Sequence, residues 1–147
     1  MLFGWGSKPD LSELRTQMDA ALKADVIPKL RAAGFRGSYP HFRRIRPDGT
    51  DLLTFQFRRE GGAFVIEIAR APEGPHVTHW GKVIDAKNLT AWDINGDMRV
   101  RLTPAGIAGS DLWFHFSDGQ IGLCVKQVER QLRAAEAWWA LPPRLPR

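Results

Sequence analysis

The chain has 147 residues, 44% of them apolar and 25% charged, the proportions of an ordinary soluble globular protein. That length suits one domain with a core of its own, and the single cysteine, Cys124, excludes an internal disulfide. No apolar run approaches the roughly 18 residues that cross a bilayer, and the formal charge of +5 is gathered between Arg31 and Arg59, where seven arginines face only Asp48 and Asp51. The opening residues do not read as a secretory signal, so a reducing compartment, the cytoplasm, is the expected location.

The spacing predicts a helix from Asp10 to Ala33. Pro9-Asp10 followed by Glu13 is a capping-box-like start, with acidic residues suited to the helix dipole. Leu11, Leu14, Met18, Leu22, Val26 and Leu30 recur at three- and four-residue steps, which makes an amphipathic stripe. Pro28 interrupts that stripe, and either a kink or a short second helix capped by Asp25 is expected. Gly34 then takes the position just past the helix, with Phe35 folding back on Leu30 in a Schellman ending.

A strand near His41–Arg46 comes next, turning through Pro47-Asp48-Gly49 into a hairpin. In that hairpin Leu53, Phe55 and Phe57 alternate with Thr54, Gln56 and Arg58, and Phe64, Ile66 and Ile68 alternate with Val65, Glu67 and Ala69. The loop Arg59-Glu-Gly-Gly62 sets Phe57 opposite Phe64, Phe55 opposite Ile66 and Leu53 opposite Ile68. A pairing of Phe42 with Phe55 turns Ile45 away from the core unless a bulge intervenes.

Residues 72–97, rich in Pro, Gly, Asp and Asn, read as a long connection hiding a short element. Further strands are expected at Met98–Leu102 and Asp111–Phe116. Ser117-Asp-Gly-Gln120 opens a last helix as a second capping-box pattern. Its stripe is Ile121, Cys124, Val125, Val128, Leu132, Ala135 and Trp139, with Pro142 as its end. Trp138 and Trp139 lie about 100° apart on a helix, so only one can face inward. Residues 1–9 and 142–147 are expected to be loosely ordered tails. The fold class is α+β: one domain with an antiparallel sheet of about five strands, its apolar face covered by the N-terminal and C-terminal helices.

Pro28-Lys-Leu-Arg-Ala-Ala-Gly-Phe-Arg36, Phe42-Arg-Arg44, Leu53-Thr-Phe-Gln56 and Phe64-Val-Ile-Glu-Ile68 occur in that order. The ordered set resembles the bacterial family known as domain of unknown function 4304. His79-Trp80, Arg99-Val-Arg-Leu102 and Trp113-Phe114 are similar to that family's later landmarks, and the likeness spans roughly residues 15–116. Glu67 stands where the family often has Asn. The resemblance implies a fold and a bacterial origin; the family has no established activity to carry over.

The residues themselves spell out no reaction. A zinc site needs three or four convergent ligands, and His76-x-x-His79 with Asp85 nearby reads more simply as loop histidines. Asp93-Ile-Asn-Gly-Asp97 reads as a turn, because a calcium loop needs its glycine and closing glutamate elsewhere. Cys124 sits on an apolar helix stripe and reads as a packed thiol. No nucleophile elbow, phosphate-cradling loop or dinucleotide fingerprint is present, and no cofactor is expected.

The polar side of the sheet is the candidate surface. If Phe42 pairs with Phe55, then His41, Arg43, Gln56, Arg58 and Glu67 share that side. Arg44 then turns to the core edge, where its guanidinium needs a carboxylate. The candidate binding residues are Arg43, Arg44, Gln56 and Arg58, groups suited to bidentate recognition of acidic or planar ligands. The expected function is a non-enzymatic binding module that engages a protein partner, an acidic one in particular. Nucleic-acid binding through the Arg31–Arg59 zone is the alternative, and an enzyme of unidentified class is the residual. No membrane partner is expected, and the oligomeric state is left open.

Overall fold

In the computed structural model, which describes residues 10–107 and 112–142, three α-helices pack on one face of an antiparallel sheet. They are α1 (Leu11–Ala21), α2 (Ile27–Ala32) and α3 (Ile121–Trp139). The strands are β1 (Arg36–Ser38), β2 (His41–Arg46), β3 (Gly49–Phe57), β4 (Ala63–Ala71), β7 (Arg99–Thr103), β8 (Gly106–Ile107) and β9 (Phe114–His115). A separate two-stranded hairpin joins β5 (His76–Val77) to β6 (Val83–Ile84). The main sheet runs β1-β2-β3-β4-β7-β8, with β9 pairing to β4. The α+β class is as the sequence predicts, and the seven strands exceed the expected five because short edges such as β1 and β8 carry almost no pattern.

Local chemistry explains most element ends. Asp10 caps α1, its carboxylate accepting the Ser12 backbone N–H at 2.9 Å. Pro28 does not break the helix. Instead Leu22–Val26 forms one π-helical turn that leads directly into α2, and the Ile27 N–H reaches back to Leu22 O. A proline in the first turn of α2 has no partner to lose, so the short second helix of the two expected outcomes is the one that forms, although Val26 and not Asp25 stands at its cap. The Schellman ending forms as predicted: Gly34 has φ +101°, and the Phe35 N–H donates to Leu30 O at 3.0 Å. At the other end, Ser117 does not cap α3. Asp118 accepts the Gln120 N–H at 2.9 Å, and the helix begins only at Ile121.

The central hairpin has the predicted register, with Phe57 opposite Phe64, Phe55 opposite Ile66 and Leu53 opposite Ile68. The preceding pair needs a correction: Phe42 lies opposite Leu53, not Phe55. The two-residue Pro47-Asp48 turn puts Arg46 opposite Gly49, and that closes the register without a bulge. Phe42 still faces the core and still touches Phe55 edge-on at 6.3 Å, while Ile45 faces outward, 57% exposed. Between β1 and β2 the Tyr39–Pro40 peptide is cis, and a side chain at Gly37 would strike His41 O at 2.5 Å.

The core lies between the helices and the inner sheet face. Met18, Leu22, Phe35, Phe42, Leu53, Phe55, Phe64, Ile66, Ile68 and Trp139 are all buried within it. Burying a large apolar side chain contributes about 1.5–3 kcal/mol, so this layer supplies the main driving force for the fold. Cys124, Val125, Val128, Ala135 and Trp139 form the buried stripe of α3, with Ile121, Leu132 and Trp138 packed at its margin. Of the expected strand at Asp111–Phe116 only Phe114–His115 pairs, and Asp111 lies outside the described residues, as do 1–9 and 143–147.

Candidate binding face

Strand pairing fixes which side chains share the outer face, because successive residues point to opposite sides. One row across the sheet is Arg43, Leu52, Ala69 and Arg99. The next is His41, Thr54, Glu67 and Arg101. Farther along, Gln56 lies opposite Val65, and Arg58 neighbours Ala63, which pairs with His115.

This face is only half open, which corrects the expectation of an uncovered polar side. The connection after β4 folds into β5, β6 and three short 3-10 turns, and its Ile84, Leu89, Ala91, Ile94 and Met98 bury against Leu52, Ala69 and Ala71. The segment is therefore a roof, and the apolar row beneath it is a second small core. Arginines at both ends of that row hold the roof by its backbone. Arg43 Nε donates to Leu89 O at 2.9 Å, and Arg99 Nη1 donates to Ala91 O at 3.3 Å. Arg43 is thereby committed to the fold.

Arg44 is also committed, on the opposite side of the sheet. Alternation sends Arg44 and Arg46 inward beside Phe42, toward Asp51, which is fully buried. Arg44 Nε donates to Asp51 Oδ2 at 2.8 Å, and its two Nη atoms grip the Glu136 carboxylate at 2.8 and 3.1 Å. This is the carboxylate partnership the sequence predicts for an inward Arg44. Arg46 and Arg70 complete the cluster at 3.0 and 3.2 Å from the Asp51 oxygens. Arg70 also pairs with the exposed Asp48 at 2.9 Å.

Arg46 donates to Trp139 O at 2.7 Å, and Arg70 donates to Leu141 O, so sheet cations fasten the negative end of the α3 dipole. Burial lifts the Asp51 carboxyl above its ordinary value, opposed by hydrogen bonding and charge from Arg44 and by the charges of Arg46 and Arg70. For Arg44, burial acts downward, yet Glu136 and Asp51 outweigh it and hold the guanidinium above its ordinary value.

Beyond the roof the strand residues in the middle of the outer face, Thr54, Ala63 and Val65, are also fully buried, and the partly exposed polar groups stand at its margins. His41 Nδ1 shares a hydrogen bond of 2.9 Å with Thr54 Oγ1, and the exposed Trp92 of the roof packs edge-on against the ring at 4.8 Å. Burial and the Arg43 charge push the His41 pKa down, while Asp93 opposes them. Glu67 is only 7% exposed, and Arg101 meets it at 3.5 Å, the longest ion pair among the described residues. Arg58 donates through Nε and Nη2 to the hairpin carbonyl of Gly61, at 3.2 and 3.0 Å. The Arg58 and Arg101 guanidinium groups lie 6.0 and 5.2 Å from the centre of the Trp113 ring. Gln56 is half-buried in the next row.

The predicted residues thus divide. Gln56 and Arg58 share the open half, Arg43 anchors the roof, and Arg44 lies in the inner charge cluster. Arg101 and Trp113 join the open half without having been singled out. Arg101 needed the β4–β7 register, which a long connection hides. Trp113 had a usable signal, since inward Phe114 and Phe116 bracket an outward residue 115 and leave 113 outward as well.

Among the described residues no group of His, Cys, Asp and Glu converges to hold a metal ion. His76 lies on β5, and His79 packs edge-on against Trp80 at 4.8 Å. Burial, then the Asp118 charge, pushes the buried Cys124 thiol up to about 12. Asp93 accepts the Thr90 N–H at 2.9 Å and ends the 3-10 turn Ala91–Asp93, and its segment runs into a second such turn at Gly96–Met98. Among the described residues no helix is long and apolar enough to cross a membrane.

A family model described as Domain of unknown function (DUF4304) matches residues 11–141. The chain belongs to that family. The match runs from the start of α1 to just beyond α3, so the roof and the half-open face both lie within the family's span. No curated protein and no solved structure matches the chain.

Proposed function

We propose that the protein is a non-catalytic binding module that engages a protein partner through the half of the outer sheet face beyond the roof. The observation that carries this reading is the abrupt change along that face. Where the roof ends, the rows pass from an apolar contact layer to Gln56, Arg58, Glu67 and Arg101, with Trp92 and Trp113 at the margins. Half-exposed tryptophan and arginine are the residue types that dominate binding energy at protein interfaces. The basic zone favours a protein ligand over nucleic acid, because its arginines do not form one patch. Arg31, Arg36 and Arg43 donate to backbone carbonyls, and Arg44 and Arg46 turn inward to Asp51.

The test is affinity capture with the full chain as bait, comparing wild type with the paired substitutions Arg58→Glu and Arg101→Glu. Specific partners should be lost from the doubly substituted bait while the bait stays folded by circular dichroism. Undiminished recovery of every partner would remove the reading. Retention of mixed DNA or RNA that falls steeply with added salt would replace the protein ligand with a nucleic acid.

A further inference from the structure

We infer that the Arg58–Trp113–Arg101 notch receives a carboxylate side chain of the partner, and that Glu67 occupies Arg101 in its place until the partner arrives. The inference rests on the binding role proposed above and adds the chemistry of the ligand.

Both guanidinium groups lie over one indole, and among the described residues neither meets a carboxylate within hydrogen-bond distance. Arg58 gives Nε and Nη2 to a single neutral carbonyl, which leaves its Nη1 edge unused there. Arg101 has a carboxylate only at 3.5 Å, beyond the 2.7–2.9 Å of a formed charge-assisted hydrogen bond. In the same molecule Arg44 meets Asp51 and Glu136 at 2.8 Å, so the fold builds tight arginine–carboxylate contacts where it uses them as fasteners. Arg101 beside the nine-tenths-buried Glu67, with Arg58 over the same indole, gives this corner two guanidinium groups and a carboxylate held only loosely, while Asp118 lies across the adjoining hollow.

The same tryptophan also borders an open hollow of about 300 Å³ lined by Pro104, Leu112 and Leu123 on its apolar side and by Asp118, Gln120 and Gln127 on its polar side. Leu112 and Leu123 are 50% and 58% exposed. An acidic residue followed by large apolar ones suits this arrangement: the carboxylate meets a guanidinium edge beside Trp113, and the apolar neighbours lie over the leucines.

The test titrates the full chain with the hexapeptide Glu-Glu-Leu-Leu-Glu-Glu, its all-glutamine counterpart Gln-Gln-Leu-Leu-Gln-Gln, and hexalysine, followed by calorimetry. The acidic peptide should bind, and the other two should not. Arg58→Met and Arg101→Met should each weaken it at least about tenfold, the scale of one charge-assisted hydrogen bond. Arg101→Lys, which keeps the charge and loses the fork, should weaken it by less. Glu67→Gln should tighten it severalfold by freeing Arg101. Arg31→Met, remote from the notch, should leave binding unchanged.

Equal weakening by Arg31→Met would show diffuse attraction and overturn the inference. So would an acidic peptide bound as well by Arg58→Met and Arg101→Met as by wild type, or weakened by Glu67→Gln. If the acidic peptide fails while partner capture still depends on Arg58 and Arg101, the carboxylate ligand is rejected and the binding role stands. If both fail, both are rejected.

Discussion

Asp51 shows how one residue can hold several elements at once. It is fully buried, and guanidinium groups from β2 and β4 reach it while also gripping Glu136 and the last carbonyls of α3. Removing one partner from a buried charge cluster leaves the others uncompensated, which costs about 3–5 kcal/mol. Asp51→Asn should therefore lower the free energy of unfolding in urea by that amount, whereas Asp48→Asn, at the exposed rim, should be far milder. Equal effects would mean that the cluster is held by the rim instead.

His41 carries a second residue-scale expectation. Its pKa in the fold is depressed, so between that value and the ordinary histidine value the unfolded chain binds a proton that the fold refuses. Stability from this source is present above the ordinary value and is lost as the pH falls through that window. His41→Gln should flatten that part of the stability–pH curve measured by denaturant unfolding. Parallel curves for the two proteins would exclude His41 as its origin.

At the scale of elements, the roof matters most. It has few apolar anchors and depends on Arg43 and Arg99 to hold its carbonyls from the two ends of one row on the outer face. Segments of this kind open locally at lower free energy than the core. Arg43→Met should speed hydrogen exchange at the Leu89 and Ile94 amides about tenfold, the factor for losing about 1.4 kcal/mol of hydrogen bonding to a charged donor. Amides in the middle of β4 should exchange as before, and uniform acceleration along the chain would show that roof and sheet unfold together.

The elements also show what a sequence reader can see. The β3–β4 hairpin, the α3 stripe and the Schellman turn were legible because period, loop length and glycine placement each demanded the same answer. The π turn was not, since Pro28 announces a disturbance without saying how the helix absorbs it. The roof was hidden too. Its apolar residues arrive singly, spaced by turns, and no period links Ile84 to Met98.

For the molecule as a whole, the same blind spot decided how much of the outer sheet face could be anticipated. Alternation placed Gln56, Arg58 and Glu67 together correctly, because parity is a local property of a strand. What covers a face and which distant strand lies beside it are long-range facts, so Arg43's anchoring role and the contribution of Arg101 emerged only from the folded chain. The inner cluster lay between these extremes. An inward arginine implied a carboxylate, but Glu136 lies 92 positions away in the sequence and could not have been named.

The fastening of α3 also has a practical side. Arg46 holds its last turn and Arg70 the Leu141 carbonyl just beyond it at the Asp51 end of the inner face, whereas Arg58 and Trp113 lie toward the Gly61 hairpin at the far end of the same strands. A tether attached after Pro142 would leave from the first end, so surface immobilisation through it would present the arginine–tryptophan corner outward to whatever flows past.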